Sequence, residues 1–249
     1  MHEAAIDPRS EGEEDTRESN APLSSTPRTK LRRYPERGRS DRSELYDILD
    51  AGLFCHLGVV DESGPRVIPT LYGRVGNNLY FHGSPASTTL CAAQGALPVC
   101  VTVTLVQGLV LARSVFHHSM NFRCAMVFGH ARLVTDPDER LAGLKACAEQ
   151  LVPGRWAAAR YPSQQELART AVFALSLDEA SAKVRQGGPH DADEDLDLDV
   201  WAGVLPLHSR WGEPEPDPSL KPGIPVPDHI GRLVGHPVFV ARTRSEDPS

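Results

Sequence analysis

The chain has no apolar run long enough to cross a bilayer. The longest, around residues 97–106, falls far short of the roughly 20 residues a spanning helix needs, and Thr102 and Thr104 interrupt it. Residues 1–40 carry many charges and few apolar side chains, so export by a secretory leader is not expected. Basic charge is not in excess either. The net charge is −7 and the Lys and Arg residues are scattered, which removes the electrostatic footprint of a nucleic-acid binder. The five cysteines are an odd number without a CxxC pair, so neither a disulfide framework nor a zinc knuckle is indicated. Cys55 and Cys100 stand inside apolar runs as small packing groups, which fits a reducing cytoplasm. Ten histidines show no HxxxH or HxH spacing, and no metal site is expected. GxSxG, P-loop and GxGxxG stretches are all missing, so hydrolase and Rossmann readings lose their usual support. The acidic run 191–197 has Leu196 where a calcium loop needs glycine and Ala202 where it needs a bidentate carboxylate, and reads as a solvated loop.

What is present is a succession of short β patterns. Residues 1–32 lack apolar periodicity and are expected to form a disordered arm, because they bury too little to offset the entropy of ordering. Order begins at a helix capped near Asp41, with Leu45, Ile48 and Leu49 at helical spacing and Gly52 as its stop. Segments 53–60, 66–72 and 79–82, separated by turn-rich loops, predict a three-stranded antiparallel meander. A short helix is expected over 87–94, then strands over 98–106, 109–114 and 122–134. In the last, Cys124, Met126, Phe128 and His130 alternate with Ala125, Val127, Gly129 and Ala131. Asp136-Pro137-Asp138 caps a helix running to about residue 151, and further patterns predict a helix near 163–169 and a strand over 172–177. The remainder reads as irregular, ending in a Pro-rich tail, 206–249, that Trp201, Leu205, Leu207 and Trp211 anchor to the body. The fold class is therefore mainly β, a small antiparallel barrel with helices at its rims.

Gly83, Ser84, Ser87, Thr88 and Thr89 crowd the junction between strand 79–82 and the following helix. Exposed N–H groups and hydroxyls at such a place suit a phosphate, although they serve equally well as simple helix caps. Arg33–Gly38, Pro65–Tyr72, Tyr80–Ser87, Ser119–Arg123 and Val200–Pro206, taken in order, resemble the pyridoxamine 5′-phosphate oxidase-like FMN-binding split-barrel proteins, especially the nitroimidazole reductase branch. The resemblance implies a six-stranded antiparallel split barrel over residues 33–205. It also implies a homodimer with FMN at the subunit interface, and an oxidoreductase acting on a small-molecule substrate with NAD(P)H or a flavin reductase as electron source. On that resemblance, Arg66, Val67, Ile68, Pro69 and Thr70 lie along the flavin. His82, Gly83, Ser84, Ser87, Thr88 and Thr89 hold ribityl and phosphate, while Asn121 and Arg123 close the site. A guanidinium binds phosphate two-pronged, which singles out Arg123, whose other reading is a surface strand arginine. His82 is placed beside the flavin as a hydrogen-bond donor or proton carrier, with a packed strand histidine as the other reading. Relatives commonly carry Lys or Arg where Thr88 or Thr89 stands, so a deazaflavin or haem is an alternative cofactor, and non-catalytic binding of such a group is an alternative function.

Overall fold

The computed structural model describes residues 22–61, 64–84 and 97–239. The expected helix over 87–94, and with it Ser87, Thr88 and Thr89, lies outside the described residues. The described strands are β1 (Gly38–Arg39), β2 (Phe54–Asp61), β3 (Gly64–Leu71), β4 (Gly73–Val75), β5 (Asn78–Gly83), β6 (Leu97–Leu111), β7 (Ser119–Leu133), β8 (Ala171–Ser176), β9 (Glu179–Arg185) and β10 (Gly203–Pro206). The helices are α1 (Arg42–Ala51), α2 (Pro137–Leu151), α3 (Arg155–Ala158), α4 (Gln164–Ala168) and α5 (Asp228–Gly231). The main path of the sheet runs β3-β2-β6-β7-β8-β5-β4, with β10 on β6 and β9 joining β7 to β1. Every pairing is antiparallel, and β3 and β4 end the path unpaired to each other, so the barrel is split.

Strand alternation builds the interior. Cys55, Leu57 and Val59 of β2 face inward with Val99, Val101, Val103 and Leu105 of β6, Ala125 and Val127 of β7, and Phe173 and Leu175 of β8. Phe81 stacks on Phe173 at 5.8 Å between ring centroids. Helix α1 closes the barrel with Leu45, Ile48 and Leu49, each almost fully buried. A second, smaller cluster lies on the other face of β5 and β8, where Tyr80, Val172 and Ala174 meet Cys147 and Leu144 of α2. The sequence places α2 well: Asp136 accepts a hydrogen bond from the Glu139 N–H at 2.8 Å, and Pro137 occupies the first turn, where no donor is needed.

Several expectations are corrected. Segments 53–60, 66–72 and 79–82 do not form one meander: β2 and β3 pair as a hairpin, but the chain turns away at Tyr72, and β5 pairs with β4 and β8. Tyr72 is fully buried and donates its hydroxyl to the Leu49 carbonyl, which fixes that departure. The two strands expected over 98–106 and 109–114 are one, β6, whose register shifts between Val106 and Gly108, leaving Gln107 as a bulge. The stretch after Ser176 is not irregular: β9 alternates buried Ala180, Ala182 and Val184 with outward residues. Within the arm expected to be disordered, residues 22–32 are held on the body: the Leu23 N–H donates to the Ser40 carbonyl at 2.7 Å, and Thr26 and Arg28 both bond Glu179. The acidic loop is not wholly solvated. Asp191 accepts from the Arg113 backbone N–H at 2.7 Å and from its guanidinium at 2.8 Å, and this pairing holds its carboxyl below the usual range despite burial. Among the described residues no helix is long and apolar enough to cross a membrane.

Candidate functional site

The site expected along residues 66–70 and 82–84 sits at the split edge, and strand geometry divides it between faces. Val67 is paired with Gly58, and Pro69 with His56, so they share the outward face with Phe54 and Val60. Arg66, Ile68 and Thr70 oppose Val59, Leu57 and Cys55, and therefore lie on the inward face. On β5, Leu79 and Phe81 enter the core while Tyr80 and His82 face α2. Gly83 continues the pairing opposite Ala171, and Ser84 ends the described segment.

His82 borders a cavity of about 430 Å³ enclosed by β5, the end of β3 and helices α2 to α4. Its lining is mainly apolar, including Leu71, Leu144, Cys147 and Leu151, together with Trp156, Arg160 and Glu166. The His82 Nδ1 is buried without a hydrogen-bond partner among the described residues. Burial lowers the imidazole's pKa, so the ring is neutral at pH 7. A neutral imidazole can hydrogen-bond a ligand or bind a metal through a ring nitrogen. Cys147 offers no reactive thiolate: burial pushes its pKa up to about 12, and its Sγ donates to the Tyr80 carbonyl at 3.3 Å. Tyr80 is likewise raised to about 12, by burial and by its hydrogen bond to Glu139. At the rim, Arg160 grips Glu166 through bonds of 3.0 and 2.7 Å. Arg160 is the main reason the Glu166 carboxyl is pulled to about 2, with the Ser163 backbone and side chain assisting.

The other two expected residues are placed elsewhere. Asn121 accepts from Arg185 and donates to the Gly187 carbonyl at 3.2 Å, so its amide is engaged in holding the turn after β9. Arg123 lines a different cavity, of about 280 Å³, between the β6 bulge and the C-terminal tail, which shares no lining residue with the His82 cavity. Trp156, Arg160 and Glu166 were not anticipated. Trp156 and Glu166 belong to short helices and Arg160 to the loop between them, which become a wall only by packing, and the capping pattern Ser163-x-x-Glu166 identifies a helix start without revealing a pocket.

The outward face around β2 and β3 is unusually apolar for a surface. Val60 and Val67 are 65% and 68% exposed, and Phe54 and Leu71, directly opposite each other, are also uncovered. His56 lies among them, edge-on to Phe54.

Comparison with known proteins identifies the family. The family model described as pyridoxamine 5′-phosphate oxidase matches residues 41–184. The flavocytochrome Anf3 from Azotobacter vinelandii is 38% identical, with 86% of this chain and 100% of that chain aligned at a TM-score of 0.80. A FAD and haem binding protein from Mycobacterium smegmatis is 35% identical, over 82% of this chain and 99% of that one, at a TM-score of 0.77. A putative 5-nitroimidazole antibiotic resistance protein from Bacteroides thetaiotaomicron, at 22% identity over 59% of this chain and 86% of that one, shares the fold at a TM-score of 0.51. No curated protein matches. The matched segment runs from α1 into β9, and the chain belongs to the pyridoxamine 5′-phosphate oxidase-like split-barrel family.

Proposed function

We propose that the protein is a homodimeric, flavin- and haem-binding redox protein. The observation that carries this reading is the identity of 38% and 35% with two proteins matched over essentially their whole length, one described as a flavocytochrome and the other as binding FAD and haem. These relatives favour FAD over the FMN suggested by the sequence motifs, since a FAD binder is among them. The residues present suit such groups. A mainly apolar cavity with one neutral imidazole whose Nδ1 has no partner among the described residues is a place for a flat conjugated ring, and His82 would either donate to a flavin or ligate a haem iron there. A bound flavin supplies electron transfer, and the protein contributes orientation and exclusion of water. The exposed valines of β2 and β3 support dimerisation, because a patch of this kind on a soluble chain marks an interface. A partner copy laid on that face would cover Val67 and Pro69 and complete the flavin site at the interface.

The test is the colour of the purified protein. Flavin bands together with a Soret band are expected, and mass spectrometry of the released ligands should find FAD or FMN. Bleaching by NAD(P)H and recovery in air would identify an oxidoreductase, whereas stable colour under those conditions would identify a binding protein. A colourless protein that takes up neither flavin nor haem when supplied would refute the proposal.

A further inference from the structure

We infer that the cavity around Arg123 is an oxyanion site, built jointly by the barrel and the C-terminal tail, for a carboxylate or phosphate group of a small ligand. The argument starts from charge. Other buried or half-buried arginines have acceptors of their own: Arg74 has Asp50, Arg42 has Asn77 and the Leu177 carbonyl, Arg113 has Asp191, and Arg185 has Asn121 and the carbonyls of Gly187 and Gly188. Arg123 is different. Its Nε is buried with no hydrogen-bond partner among the described residues, as are those of Arg113 and Arg185, but its Nη2, unlike their terminal nitrogens, reaches only the Phe239 carbonyl at 3.5 Å, beyond the usual range of about 2.7–3.2 Å. A guanidinium cannot shed its proton, so this half-buried group, with no acidic side chain bonded to it among the described residues, is suited to a ligand that supplies negative charge.

The surroundings fit that ligand. Gln107, His208, Ser209 and Arg210 line the same cavity of about 280 Å³, all of them able to donate, and none of the described lining residues is acidic. Local structure explains how they converge. The β6 bulge frees the Gln107 carbonyl to accept the Leu207 N–H at 3.0 Å, which lays the tail across the strand end and brings His208 to Arg210 over Arg123. Arg210 is held in turn by the Gly235 carbonyl at 2.8 Å. Two guanidinium groups around one opening make a clamp suited to a doubly charged or two-oxygen anion. Its test is separate from that of the flavin reading, because inorganic pyrophosphate probes these lining residues without any flavin.

The probe is inorganic pyrophosphate, titrated into the full chain and followed by calorimetry and thermal melting. Wild type should bind it and melt at a higher temperature, as any ligand selective for the native state requires. Arg123→Met and Arg210→Gln should each raise the dissociation constant at least tenfold and abolish the melting shift. Without anion, Arg123→Met should melt at or above wild type, because it removes a half-buried charge that no acidic side chain compensates. FAD tested against FMN, and haem against its dimethyl ester, identify the source of the anion: a preference for FAD that Arg123→Met abolishes points to a dinucleotide pyrophosphate, and the corresponding preference for free haem points to its propionates. Absence of any anion effect on wild type, equal binding by both variants, or a large loss of melting temperature in Arg123→Met without anion would each overturn the inference.

Discussion

Gly73 and Ala146 meet backbone to backbone: a Cβ placed on Gly73 would lie 2.2 Å from the Ala146 carbonyl carbon. Helix α2 sits this low on β4 and β5 only because neither Gly73 nor Gly143, whose added Cβ would lie 2.7 Å from the Tyr80 ring, carries a side chain. The same close approach sets the wall of the His82 cavity. Gly73→Ala should push α2 outward and destabilise the protein by about 2 kcal/mol or more, as overpacking against backbone does. Urea unfolding measures it, with Gly212→Ala, which meets nothing within 4 Å, as an unaffected control.

Asp50 at the end of α1 pairs bidentately with Arg74 at 2.8 and 2.5 Å, and the guanidinium lies 4.0 Å from the Tyr46 ring centroid. The Arg74 side chain is 7% exposed, so the pair is largely desolvated. Asp50→Ala should cost about 3 kcal/mol by leaving a buried cation, while Asp50→Ala with Arg74→Met should cost less than the sum of the two single changes. A double-mutant cycle in denaturant reads the difference.

Stability should decline in mild acid through His82. Burial lowers its folded pKa below the ordinary value of about 6.5, so the unfolded chain takes the proton first. The loss should begin as pH falls through that ordinary value and level off once the depressed folded value is passed. Thermal melts between pH 8 and 5 should show a shallower acid slope in His82→Gln than in wild type.

Val67→Asp combined with Val60→Asp places two charges on the exposed face of β2 and β3. If the proposed dimer forms through this face, wild type should elute as a dimer in light-scattering chromatography and the double variant as a monomer that retains less flavin. An unchanged dimer mass would place the interface elsewhere.

Much of the fold was legible from local chemistry. Helix α1 was found through Leu45, Ile48 and Leu49, and α2 through the Asp136 cap followed by Pro137, since both signals act within a turn or two. The family was legible from ordered short motifs. The sequence misled where partners are distant in the chain. β9 reads weakly because Ala180 and Ala182 are small, and it becomes a strand by pairing with β7. Asn121 and Arg123, two residues apart, looked like one site, yet pairing turns one toward Arg185 and the other toward the tail.

Residue order alone determined helices α1 and α2, the β2–β3 hairpin and the mainly antiparallel β character of the chain, because periodicity, caps and turn residues act through neighbours. Tertiary structure decided which side chains share a cavity. His82 shares a cavity with Trp156 and Arg160, and Arg123 shares one with Arg210, because segments far apart in sequence pack together, where register and burial, not local preference, set the environment of each charge.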